Sequence, residues 1–135
     1  MARDPLAVLS RVREANVTEA SRELAAALAA AASSRRRLEA HRQHVSQEQT
    51  GAVGEDVAAF AAWLPAARRR TDQMVSDLRL EDGLVLRLQH VLVLRRTEAE
   101  AVTKAMQRKR QDADLAAAKK EQAVMDEVGG RRQMA

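Results

Sequence analysis

The sequence predicts an all-α protein, a long antiparallel two-helix coiled-coil hairpin, and three observations carry that prediction. Alanine, leucine, glutamate, arginine and lysine dominate, while five glycines and two prolines are the only strong breakers in 135 residues, a composition typical of long helices. Apolar residues recur at alternating spacings of three and four on either side of a central break. Of 62 hydrophobic residues 28 are alanine, and there is no isoleucine, tyrosine or cysteine, so a thick globular core has too little to fill it.

Helix one is expected over about 4–62. Asp4 reads as its N-cap and Pro5 as its first helical residue, because proline lacks only an N–H that would be unpaired there in any case. An apolar line then recurs every seven residues at Val17, Leu24, Ala31, Leu38, Val45 and Ala52, with Ala20, Ala27 and Leu28 on the intermediate turns. That is a heptad seam diluted by alanine.

The main turn is expected at about 62–65, where Pro65 disfavours helical geometry at Leu64. Gly51 and Gly54 each cost about 1 kcal/mol inside a helix, so a turn at Thr50 to Gly54 is the alternative. Helix two is expected over about 65–128. Its seam runs through Met74, Leu78, Val85, Leu88, Leu92, Ala99, Val102, Met106, Ala113 and Ala116, and Gly129-Gly130 supply a stop before a basic tail, 129–135. The whole chain, 1–135, reads as one coiled-coil domain. The alternation Leu84, Leu86, Leu88 would also suit a β-hairpin, but continuous heptads on both sides favour helix.

A turn near 64 sets position i against about 128 minus i. Arg11 and Arg13 then face Asp112 and Asp114, Glu19 and Glu23 lie near Arg108 to Arg110, and Arg3 approaches Asp126. One stretch fails to complement. Arg35, Arg36, Arg37 and Arg42 would lie against Arg87, Arg95 and Arg96, a basic belt holding His41, His44 and His90 and the off-seam Leu86 and Val93. The belt is the candidate partner surface, with solvated arginines and a local self-association as the plain alternative.

Most chemistry is excluded. Without cysteine there is no disulfide, thiolate nucleophile or thiolate metal site. His41 and His44 lack a third ligand, Asp112 with Asp114 and Glu81 with Asp82 point to different sides of a helix, and no phosphate loop or serine elbow occurs. No enzyme, metal or cofactor is expected. The longest apolar run, Leu24 to Ala32, is too short to span a bilayer and too far along the chain for a signal peptide; a cysteine-free chain suits the reducing cytoplasm. The net charge of +4, with 19 Arg to 4 Lys, points to acidic partners. Nucleic acid is a competitor through Arg35–Arg37, Arg68–Arg70 and Arg108–Arg110, but base-reading and stacking groups are lacking and acids are interspersed.

The C-terminal "AAAKKEQAVMDEVGGRRQ" resembles the ending of the flagellar export stalk family, the FliJ proteins of the bacterial type III export apparatus, with Gln122, Met125, Asp126, Glu127 and Arg131 as the matching residues. The opening "DPLAVLSRVREANVTEASREL" and the mid-chain "AFAAWLPAARRR", with Phe60, Trp63 and Leu64, are also similar. The central region departs from the family pattern, alanine standing where larger polar and aromatic residues are expected. The resemblance implies a non-enzymatic cytoplasmic stalk at the inner face of the inner membrane. Its implied partners are the hexameric flagellar export ATPase, the cytoplasmic domain of the membrane export gate and export chaperones. By analogy with rotary shafts, the end carrying Gln122 to Arg131 would enter the ATPase ring; alternatively, Met125 and Val128 would pack on Leu6 and Leu9. Two other readings stand beside it, a basic nucleic-acid-associated coiled coil and a generic dimeric coiled-coil scaffold.

Overall fold

The computed structural model describes residues 4–134. They form a helical hairpin of two elements, α1 (Pro5–Gly51) and α2 (Asp56–Met134), with no strand among the described residues. The β-hairpin alternative is therefore overturned: Leu84, Leu86 and Leu88 lie within α2. The N-terminal reading holds, since the Asp4 carboxylate accepts a hydrogen bond from the Leu6 N–H at 3.1 Å with Pro5 as the first helical residue.

The turn does not lie at 62–65. The chain leaves helix at Ala52–Glu55, around Gly54 with φ of +63°, and α2 runs straight through Pro65 as its tenth residue. The reason is a contest between a local penalty and a distributed gain. Proline inside a helix costs about 3 kcal/mol, but the seam of α2 continues behind it with unbroken three-four spacing at Phe60, Leu64, Ala67 and Thr71. Turning at 62–65 would strip Phe60 and Leu64 from that seam. Gly54 supplies what the tight connection requires, a residue that enters the left-handed region without strain. The C-terminal boundary moves too: Gly129 and Gly130 are helical and the expected tail continues α2 to Met134.

Two compact units are present, one of Thr18–Leu94 and one of the segments before Thr18 and after Leu94. In the first, the seam of α1 comprises Ala20, Leu24, Ala27, Ala31, Ser34, Leu38, His41 and Val45, each buried or half-buried. It meets a matching line on α2, and Ala27, Ala31 and Val85 form a buried cluster flanked by Leu24 and Leu88. Leu28 lies off the seam and is exposed. In the second unit Val102 is buried and Val17, Ala99 and Met106 are half-buried.

Polar groups interrupt this thin core. Ser34 is buried and donates to Glu81 Oε1 at 2.8 Å, accepting in turn from the Arg37 guanidinium at 3.0 Å. The second Glu81 oxygen is buried without a partner. His41 Nε2 lies 3.1 Å from the Ala67 carbonyl, which can only accept, so this nitrogen carries the proton. Buried polar pairs of this kind add little net stability but penalise every register that leaves them unpaired.

Candidate interaction surfaces

Moving the turn slides the register by about three to five turns of helix, which rearranges every charge pair expected from the sequence. Arg13 meets Glu98 at 2.7 Å rather than Asp112 or Asp114, and Arg95 joins the same carboxylate at 3.5 Å. Asp4 pairs with Lys109 at 3.4 Å. Glu19 and Glu23 have no ion pair with Arg108 or Arg110 among the described residues, and Arg3 lies outside the described residues. These half-exposed pairs contribute about 0–1 kcal/mol each.

The belt as expected from the sequence is dissolved. Arg35 pairs with Asp82 at 3.1 Å, so Arg35, Arg36 and Arg37 do not face Leu86, His90 and Val93. Those three residues are exposed on α2, at positions outside its buried seam. A different basic region replaces the expected one. His41 of α1 bonds the Ala67 carbonyl and His44 packs its ring edge-on against Trp63, with centroids 5.7 Å apart. Arg37 and Arg42 thereby share this part of the hairpin with Arg68, Arg69 and Arg70, whereas Arg35 is taken up by Asp82.

Within this region the helices leave a groove lined by Arg37, Ala40, His44, Trp63, Ala66, Arg70 and Met74. Phe60 tilts against the other side of Trp63 at 5.9 Å. The groove therefore offers an aromatic and alanine floor between two guanidinium groups and contains no carboxylate. That chemistry fits a segment that inserts an apolar side chain and presents acids on either side. The sequence held the signal in Trp63 and the Arg68–Arg70 run, but a turn placed between them and α1 hid it.

The third surface is the end of α2. Every residue of 107–133 is exposed, with Asp4 of the other arm of the hairpin paired to Lys109. Leu115, Val124, Met125 and Val128 are uncovered, Met125 at 70%, so Met125 and Val128 do not close over Leu6 and Leu9. Gln122 donates to Asp126 at 3.1 Å and Arg131 pairs with Glu127 at 3.2 Å, both one turn apart along the same helix. The matching residues Gln122, Met125, Asp126, Glu127 and Arg131 thus sit on one bare helix, braced only by each other.

Glu81 and Asp82 are occupied by Ser34 and Arg35. Among the described residues no group of three or more histidines and carboxylates could hold a metal ion, and no helix is long and apolar enough to cross a membrane. What the arrangement offers is contact surface.

Fold and surfaces together define a class, a two-helix hairpin protein whose distinctive side chains lie on exposed grooves and an uncovered helix end. Within that class the family is specific: the family model described as "Flagellar FliJ protein" matches residues 1–135, and the chain belongs to that family. It is accordingly a flagellar export-associated protein. No curated protein and no solved structure matches it.

Proposed function

We propose that the chain acts as the non-enzymatic stalk of flagellar type III export, contacting the hexameric export ATPase, the cytoplasmic domain of the membrane export gate and export chaperones. The observation that carries this reading is the bare end of α2, where 27 consecutive residues are exposed with Val124, Met125 and Val128 uncovered. A helix end of this kind is suited to entering a ring, with Gln122, Met125, Asp126, Glu127 and Arg131 as its contact residues. The Trp63 groove, with Phe60 beside it and Arg37 and Arg70 in its lining, would take an acidic segment of the gate or a chaperone. Leu86, His90 and Val93 form a lesser contact surface on α2. On this reading the protein works in the cytoplasm, at the inner face of the inner membrane.

The test is turnover of the cognate export ATPase against increasing amounts of this protein, with duplex DNA in a parallel series. Saturable stimulation near one chain per hexamer, indifferent to DNA, is the expected result. No change in turnover, together with DNA binding that weakens steeply with salt, would instead make the arginine runs a phosphate-contacting surface.

A further inference from the structure

Beyond these contacts, we infer that one flank of the Thr18–Leu94 unit binds a second copy of the chain, antiparallel, as an isologous dimer. The observation is a second, unoccupied heptad line on each helix. On α1 it runs Glu19, Glu23, Ala26, Ala30, Ser33, Arg37, Ala40 and His44; on α2 it runs Trp63, Ala66, Arg70, Gln73, Asp77, Leu80, Leu84, Arg87, Val91 and Leu94. Both keep strict three-four spacing, the pattern that puts residues on one stripe of a helix. Arg37, Ala40 and His44 line the same groove as Trp63, Ala66 and Arg70, so the two stripes border one flank.

That flank is dressed for burial without being buried. Leu80 is 71% exposed, Leu94 61% and Leu84 40%, while the α1 stripe beside them is small-sided at Ala26, Ala30 and Ser33. Small residues beside a leucine row let another helix approach closely. A single helix of foreign origin could lie there, but the charges select the chain itself.

The selection follows from laying the α2 stripe against a reversed copy of itself about the point midway between Leu80 and Leu84. Leu80 then meets Leu84 of the second copy, and Asp77 meets Arg87 of the second copy, each contact occurring twice by symmetry. Asp77 accepts only from Gln73 on its own helix, and Arg87 has no ion pair among the described residues. The α1 stripe agrees independently. It is acidic at one end, Glu19 and Glu23, and basic at the other, Arg37 and His44, and reversal sets Glu23 opposite His44 of the second copy. Because Ser34 touches Glu81, the same two-fold point falls between the acidic and basic ends of α1. The dimer would also cover the Trp63 groove, making self-association and partner capture mutually exclusive.

Sedimentation equilibrium of the full chain from micromolar to millimolar concentration tests this. A monomer–dimer equilibrium is expected, with Leu80→Glu raising the dissociation constant by about a hundredfold and Asp77→Arg or Arg87→Asp each raising it by about tenfold. The double variant Asp77→Arg with Arg87→Asp restores the opposed pairs and returns the constant to within about threefold of the parent. Each substituted side chain is exposed or unpaired across the hairpin, and unchanged circular dichroism confirms that the fold is intact. A chain that stays monomeric throughout, or a dimer insensitive to Leu80→Glu and not rescued by the charge swap, overturns the inference. Monomers whose variants lose binding to a gate or chaperone fragment would assign the flank to that partner instead.

Discussion

Replacing Pro65 by alanine is expected to stabilise the protein, and the expectation depends wholly on where the chain turns. Pro65 is the tenth residue of an unbroken α2, so it removes the hydrogen bond that the Ala61 carbonyl would otherwise accept. Interior proline costs about 3 kcal/mol relative to alanine. Two effects reduce the gain: proline also restricts the unfolded chain, by about 0.5–1 kcal/mol, and Ala61 is exposed, so water satisfies part of its carbonyl for about 1 kcal/mol. A net gain of about 1–1.5 kcal/mol remains, equivalent to about 3–6 °C in Tm for a chain of this size. Far-ultraviolet circular dichroism on heating measures it directly. If the chain turned at 62–65, alanine would erase the turn signal and Tm would stay level or fall. That outcome would refute the assignment of the turn to Ala52–Glu55 and, with it, the register of every cross-helix pair.

Other substitutions probe the remaining features. Gly54→Ala must place a β-carbon at positive φ and should cost about 1–2 kcal/mol by thermal unfolding. Gly129→Ala and Gly130→Ala meet open space inside a helix and should each favour α2 by about 1 kcal/mol, read as increased helicity. Ser34→Ala leaves the Glu81 carboxylate without its one hydrogen-bond partner among the described residues and should cost about 1–3 kcal/mol, whereas adding Glu81→Leu should recover the loss or more. Val124→Glu with Met125→Glu should leave stability within about 0.5 kcal/mol, since both side chains are exposed. The same pair should abolish stimulation of the export ATPase, and full stimulation would remove the α2 end from the ring contact.

What the sequence made legible was the seam, because heptad periodicity is summed over dozens of positions and survives alanine dilution. Asp4-Pro5 was legible for the opposite reason, a cap whose geometry is wholly local. The turn was not. Pro65 is the strongest single breaker in the chain, yet its penalty is local, while the burial that overrides it is spread across Phe60, Leu64, Ala67 and Thr71. The usable signal was that the phase of the α2 seam passes through Pro65 without a step. From the misplaced turn the remaining errors follow: Arg13 finds Glu98, Arg35 finds Asp82, and the basic region gathers around Trp63 instead of His90. The bare end of α2 was likewise hidden, since helices of equal length leave no overhang.

That overhang has a thermodynamic side. A lone helix without a packed partner is only marginally formed in water, and its helicity falls with temperature. Past the exposed Asp4–Lys109 pair, residues 110–133 bury nothing, and among the described residues their braces are surface pairs along the same helix, Gln122 with Asp126 and Arg131 with Glu127. Whatever grips this segment must therefore complete its folding as well as bind it. Grip then becomes temperature-dependent, with a large negative heat-capacity change, and a partner that lets go returns the segment to a fraying coil, so that release is helped by chain entropy.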